Sequence, residues 1–212
     1  MLSECAAALV ADGWHVVLPS RRYSPLPAED KLALDQALSN ALPELVPAHA
    51  GSYQPGSAAR RAMSGGGGHR PTAARTGRAL WVEASWADPD GLAASAGNAL
   101  NGEADLLVAW IHAEYRERVL DAVAPLLAFD ARVVEVHGSG TGDSLDTVPE
   151  PYLTDYPTQR VVLGFVWQGM TTRWLTHTEV ADGVLSAVCR ALDGLPPALH
   201  QVGDLHPWDM LP

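Results

Sequence analysis

Cysteine is almost absent: of 212 residues only Cys5 and Cys189 carry a thiol, far apart in sequence and both on apolar helical stretches. A pair so placed excludes a disulfide framework, Cys-x-x-Cys redox chemistry and cysteine zinc sites, and it fits a reducing cytoplasm. Lysine is scarcer still, Lys31 alone against 13 arginines. Pro27 stands four positions before that lysine, so a Tyr-x-x-x-Lys pair cannot be written in this chain. No Gly-x-x-x-x-Gly-Lys phosphate loop occurs, and a pyridoxal phosphate lysine would have to be Lys31. Long apolar runs are missing too. None approaches the roughly 20 residues that span a bilayer, and without a basic stretch followed by an apolar one at the start, secretion is not expected. Positive charge is short: 14 basic residues against 25 acidic ones leave −11, which disfavours nonspecific binding to nucleic acid or to an anionic membrane. Eight histidines are present, His15, His49, His69, His112, His137, His177, His200 and His206, and none has metal-ligand spacing.

What is there reads as a globular α/β chain, with 47% apolar and 18% charged residues. That length holds one domain with a full core, or at most two small ones. Residues 3–12 form an alanine-rich helix that Gly13 stops. WHVVLPS at 14–20 is a short buried strand. Pro27, Glu29 and Asp30 open a helix to about Leu42. RALWVEAS at 78–85 is a strand, and Asp88-Pro89 caps a helix toward Leu100. DLLVAWI at 105–111 is another buried strand, followed by a helix from Ala113 to Leu127. ARVVEV at 131–136 and RVVLGFVW at 160–167 are further strands, Thr176-x-x-Glu179 is a capping box opening a helix, and LHQVG at 199–203 is an edge strand. Continuous apolar strands between amphipathic helices predict a doubly wound α/β domain with a parallel sheet.

Residues 47–78 interrupt the alternation. Gly65 to Gly68 run together, and Arg60, Arg61, Arg70, Arg75 and Arg78 fall in a stretch with no acid between Glu44 and Glu83. Two readings stand: a low-complexity connector, and an arginine-rich flap over a phosphorylated ligand. Tyr53 alone interleaves with the arginines, so a platform for single-stranded nucleic acid is not expected. GSGTGD at 138–143 follows a strand, but no helix follows it. It reads as a loop rather than as a phosphate cradle.

The order helix, WHVVLPSRR, WVEASWADP, DLLVAWIH, RVVEVHGS, RVVLGFVW resembles the short-chain dehydrogenase/reductase superfamily, close to an atypical compact bacterial branch. Gly164-Phe165-Val166, RWLTHTE at 173–179, Gly183-Val184 and Pro207-Trp208 carry the C-terminal part of the likeness. The resemblance implies a Rossmann-like fold in a single domain, 1–212. It also implies an N-terminal truncation of about ten residues, because the first strand and its glycine-rich turn would precede Met1-Leu2. It implies NADP as cofactor, with Ser20, Arg21 and Arg22 placed where an NAD-preferring member carries an acid. Ser85 and Trp86 would sit near the adenine, and Ala109, Trp110 and Ile111 would bind the cofactor, the stretch Ala109-Trp110-Ile111-His112 standing in place of the family's Asn-Asn-Ala-Gly.

On the catalytic side the likeness offers Ser139, Tyr152 and, by its place at a strand's C-terminal end, His112. Tyr152 is followed four residues later by Tyr156, not lysine. Tyr156 and Arg160 imitate the missing pair, but Pro157 argues against the helix that would join them. The leading expectation is an NADP-dependent oxidoreductase acting on a small carbonyl or alcohol. The alternatives are a nucleotide-binding sensor that has lost the reaction and a non-redox enzyme on the same scaffold. The expected partner is a small-molecule substrate, with no nucleic acid and no membrane. A homo-oligomer is compatible with this reading.

Overall fold

The structure, a computed structural model, describes residues 2–21, 77–138, 150–169 and 171–205. The expected helix at 27–42, nearly all of the connector at 47–78, and the GSGTGD loop beyond Gly138 lie outside the described residues.

The elements follow the predicted order. Helix α1 (Ser3–Ala11) ends where Gly13 takes φ +94° and Trp14 N–H reaches back to the Leu9 carbonyl at 3.0 Å. Only glycine takes that backbone turn without cost. Strands β1 (His15–Ser20) and β2 (Arg78–Glu83) pair in parallel, His15 opposite Arg78 and Ser20 opposite Glu83. Helix α2 (Pro89–Leu100) is capped by Asp88, whose carboxylate accepts from Gly91 N–H at 3.1 Å. Strand β3 (Ala104–Trp110), helix α3 (Ala113–Val123) and strand β4 (Leu127–Gly138) follow. Helix α3 stops short of Leu127 because Pro125 tightens Ala124–Leu126 into a 3₁₀ turn.

Strand β5 (Thr158–Leu163) adds to β4, and β8 (Leu199–Val202) adds to β5, so that β3-β4-β5-β8 form a four-stranded sheet with every pair parallel. RVVLGFVW is not one strand. At Gly164 the chain leaves the sheet, with Gly164 N–H on the Val202 carbonyl and Phe165 exchanging hydrogen bonds with Asp204 at 2.7 and 2.8 Å. A Cβ at position 164 would run into the Asp204 carbonyl, so glycine makes the turn-out. Strand β6 (Phe165–Gln168) then forms a hairpin with β7 (Thr171–Trp174). Helix α4 (His177–Leu192) starts in the expected capping box, with Thr176 Oγ1 accepting from Glu179 N–H at 3.2 Å and Glu179 Oε2 accepting from Thr176 N–H at 2.8 Å.

Helices cover both faces. Strand β4 alternates, sending Val134 and Val136 toward α1 and α4, and Ala131 and Val133 toward α2 and α3. Val134, Val136, Val161, Val184 and Val188 are all 0% exposed, each contributing about 1.5–3 kcal/mol by burial. β1 is not hydrogen-bonded to β3, although Val16 of one and Leu106 and Val108 of the other lie against the same cluster. Among the described residues the outer edge of β1 and the outer edge of β3 therefore carry no partner strand. In β3 Leu106, Leu107 and Val108 are half-buried, whereas Val133, Val134 and Val136 of the neighbouring β4 are fully buried. No helix among the described residues is long and apolar enough to cross a membrane.

Candidate functional site

In parallel α/β sheets, side chains that leave the carboxyl ends of the strands converge on one edge. Here that edge carries Ser20-Arg21 after β1, Ser85-Trp86 after β2, Ile111-His112 after β3 and His137-Gly138 closing β4. Arg21, Glu83, Ser85, Asp88, Leu92 and Ser95 line a cavity of about 480 Å³ between the ends of β1 and β2 and the start of α2. Arg21 and Ser85 thus meet at one cavity from separate strands. Ser85 Oγ accepts from Ala87 N–H at 3.3 Å.

Beside that cavity stands an aromatic group. Trp86 meets the His112 ring edge-on, centroids 5.0 Å apart at 73°, and Tyr115 lies 6.2 Å from Trp86. His112 is exposed at the N-cap of α3 and makes no side-chain capping bond. The other cofactor-side candidates face the core. Ala109 and Ile111 are buried against α2 and α3, and Trp110 packs on the opposite face with the α1–α4 cluster. Arg22 and Ser139 lie outside the described residues.

Tyr152 is held away from His112. Its hydroxyl donates to Asp121 Oδ1 at 2.9 Å, and Asp121 is nine residues along α3, about 13 Å from the helix start. The hydrogen bond to Asp121 is the main cause that raises the phenol above its ordinary range, followed by burial and the charges of Asp121 and Glu117. Tyr156 and Arg160 share no helix. Arg160 lies on β5, with its guanidinium 3.5 Å from Glu150. Cys5 is buried, and burial with Cys189 nearby pushes its thiol up to about 12, so it is no nucleophile.

The sequence reading missed a second polar group at this edge. Glu135 is 1% exposed in the middle of β4, and strand alternation puts His137 on the same face. Arg116, from the first turn of α3, reaches both. Its Nη1 is 3.2 Å from His137 Nε2 and 3.5 Å from Glu135 Oε2, and its Nη2 donates to the Ile111 carbonyl at 2.9 Å and the Val136 carbonyl at 3.3 Å. Glu135 Oε1 accepts from Tyr152 N–H at 3.1 Å. Burial pushes the Glu135 carboxyl up. The contact with His137, the Tyr152 amide and the charges around it outweigh that, and the carboxyl sits below its ordinary value. Burial lowers Arg116, and Glu135 opposes the shift. One guanidinium therefore pins α3 to the ends of β3 and β4 and balances a buried carboxylate. The signal was in the sequence: a glutamate inside a run of buried strand residues needs a partner.

Among the described residues no group of His, Cys, Asp and Glu is arranged to hold a metal ion. Compared with known proteins, the chain matches no family model, no curated protein and no solved structure.

Proposed function

We propose that the chain is an NADP-dependent oxidoreductase of the short-chain dehydrogenase type, acting on a small carbonyl or alcohol. The single observation that carries this reading is the cavity shared by Arg21 and Ser85 at the carboxyl ends of β1 and β2. Its donor set fits a phosphorylated ribose. The Arg21 guanidinium suits a 2′-phosphate, and the Ser85 hydroxyl and Glu83 carboxylate suit ribose hydroxyls. The carboxylates of Glu83 and Asp88 share the wall, and Asp88 is already engaged in capping α2. Arg21 is therefore the residue that would distinguish a phosphorylated from an unphosphorylated ribose. The parallel strand pairs, β1-β2 and β3-β4-β5-β8 with helices on their faces, are compatible with a doubly wound Rossmann-like fold.

When bound, the reduced nicotinamide supplies a hydride. The chain's own residues bind, orient and exclude water. Arg21 and Ser85 hold the ribose end, Trp86 packs against His112 beyond Ser85, and His112 offers an exposed imidazole for proton exchange with the substrate oxygen. Titration with NADPH and NADH followed by Trp fluorescence, then turnover against a panel of aldehydes and ketones, tests the reading. Saturable NADPH binding with turnover supports it. No nucleotide binding refutes it.

A second reading is a nucleotide-binding sensor without turnover. The Tyr152 hydroxyl bound to Asp121, away from His112, favours it. NADPH binding with no oxidation of NADPH by any carbonyl would select that reading.

A further inference from the structure

The cavity at the ends of β1 and β2 holds charges of both signs, and two of them come from neighbouring strands. Ser20 stands opposite Glu83 in the parallel pair, and Ala84 N–H donates to the Ser20 carbonyl at 3.2 Å. Adjacent strands lie about 5 Å apart, so Arg21 and Glu83 leave the backbone as near neighbours. Both line the cavity. Yet among the described residues neither enters an ion pair. The third charge, Asp88, is committed elsewhere. Its carboxylate accepts from Gly91 N–H at 3.1 Å at the start of α2, where the positive end of the helix dipole offsets it. One guanidinium and one carboxylate are left to a ligand, with Ser85 and Ser95 lining the same space.

A guanidinium only donates and an ionised carboxylate only accepts. The two therefore judge the 2′ position of a ribose in opposite senses. A 2′-phosphate gains charge-assisted hydrogen bonds from Arg21 and is repelled by Glu83. A bare 2′,3′-diol offers two O–H donors, and the carboxylate is the group that takes both.

We propose that Glu83 is a specificity-determining residue that works against Arg21: it accepts the hydroxyls of an unphosphorylated ribose and repels a 2′-phosphate, so that one cavity serves both nucleotides and the preference for NADP stays narrow. Ribose selection is thus split between two strand ends, with Arg21 beyond β1 pulling toward the phosphate and Glu83 closing β2 pulling toward the diol. The assignment rests on the reading of this cavity as the ribose end, and it adds to that reading a residue of opposite sign. Both side chains are exposed, so their charges act through solvent and are open to screening by salt.

Isothermal titration of NADPH and NADH into the full chain and its Glu83 variants tests the assignment. Glu83→Gln keeps the size and removes the charge. It should bind NADPH about threefold tighter and NADH about threefold weaker than the parent, a swing in the ratio of about tenfold. At about 0.5 M salt, where the Debye length is about 4 Å, the gain for NADPH should fall away. Glu83→Asp keeps the charge and should hold a ratio nearer the parent's than the glutamine variant's. Because Glu83 is exposed and joined to no ion pair among the described residues, neither change should move the urea midpoint. A parent that prefers NADPH, with a ratio that Glu83→Gln leaves untouched or turns toward NADH, overturns this inference and leaves the ribose reading standing. A parent that binds neither nucleotide overturns that reading, and this inference with it.

Discussion

Replacing Arg116 with methionine removes a guanidinium beside a carboxylate that is 1% exposed. Methionine fills most of the volume, so the loss is electrostatic. The carbonyls of Ile111 and Val136 lose their donor, and Glu135 is left buried with only the Tyr152 amide and His137. Breaking a buried pair from one side costs about 3–5 kcal/mol, a large share of the roughly 5–15 kcal/mol that holds a domain. The pH dependence has a definite sign. In the parent the Glu135 carboxyl lies below its ordinary value of 4.5, so its stabilisation is present above that pH and is lost as pH falls through the lowered value. In Arg116→Met the carboxyl loses one of the causes that hold it down and moves up, so less of the stabilisation carried by its ionised form remains above the unfolded value. The gap between parent and variant should therefore be widest near pH 7 and shrink toward about pH 4. Urea unfolding followed by circular dichroism at both pH values measures it, with an unchanged slope as the check on two-state behaviour. The double variant Arg116→Met, Glu135→Leu should recover much of the loss, because no uncompensated charge remains. A single-variant loss under about 0.5 kcal/mol at pH 7 would refute the reasoning, since the pair would then hold nothing.

Gly164→Ala should destabilise the chain by about 1–3 kcal/mol, read as a lower midpoint in urea, because the added Cβ meets the Asp204 carbonyl where β5 hands over to the hairpin. Glu179 is held down to about 2, chiefly by Arg173 and then by the Thr176 amide, so Glu179→Gln should lower the thermal midpoint at neutral pH, and the difference should narrow as pH falls from 4.5 toward about 2.

Much of the fold was legible because its signals are local. Gly13, Asp88-Pro89 and Thr176-x-x-Glu179 mark helix ends by backbone chemistry that needs no tertiary context, and all three act as read. The strands were legible as apolar runs, but their edges were not. RVVLGFVW reads as one strand because nothing in its composition reveals that Asp204 waits beside Gly164. The site was legible only in part. Ser20, Arg21, Ser85 and Trp86 stand at strand ends, and strand ends in a parallel sheet gather at one edge, so Arg21 and Ser85 share a cavity. Tyr152 could not be placed by spacing, because its partner Asp121 comes from a helix on the far side of β4 in sequence. Arg116 was invisible for the same reason: its role arises from a chain folded back on itself across a separation of 21 positions from His137.

The account's central claim is that Arg21 receives a phosphorylated nucleotide at the carboxyl ends of β1 and β2. The most direct measurement compares NADPH and NADH binding, by isothermal titration, to the parent chain and to Arg21→Ala. The account predicts saturable binding with NADPH preferred, and a loss in Arg21→Ala that falls on NADPH by tenfold or more, about 1.4 kcal/mol, while NADH changes little. Equal losses for the two nucleotides, or no saturable binding of either to the parent, would contradict it.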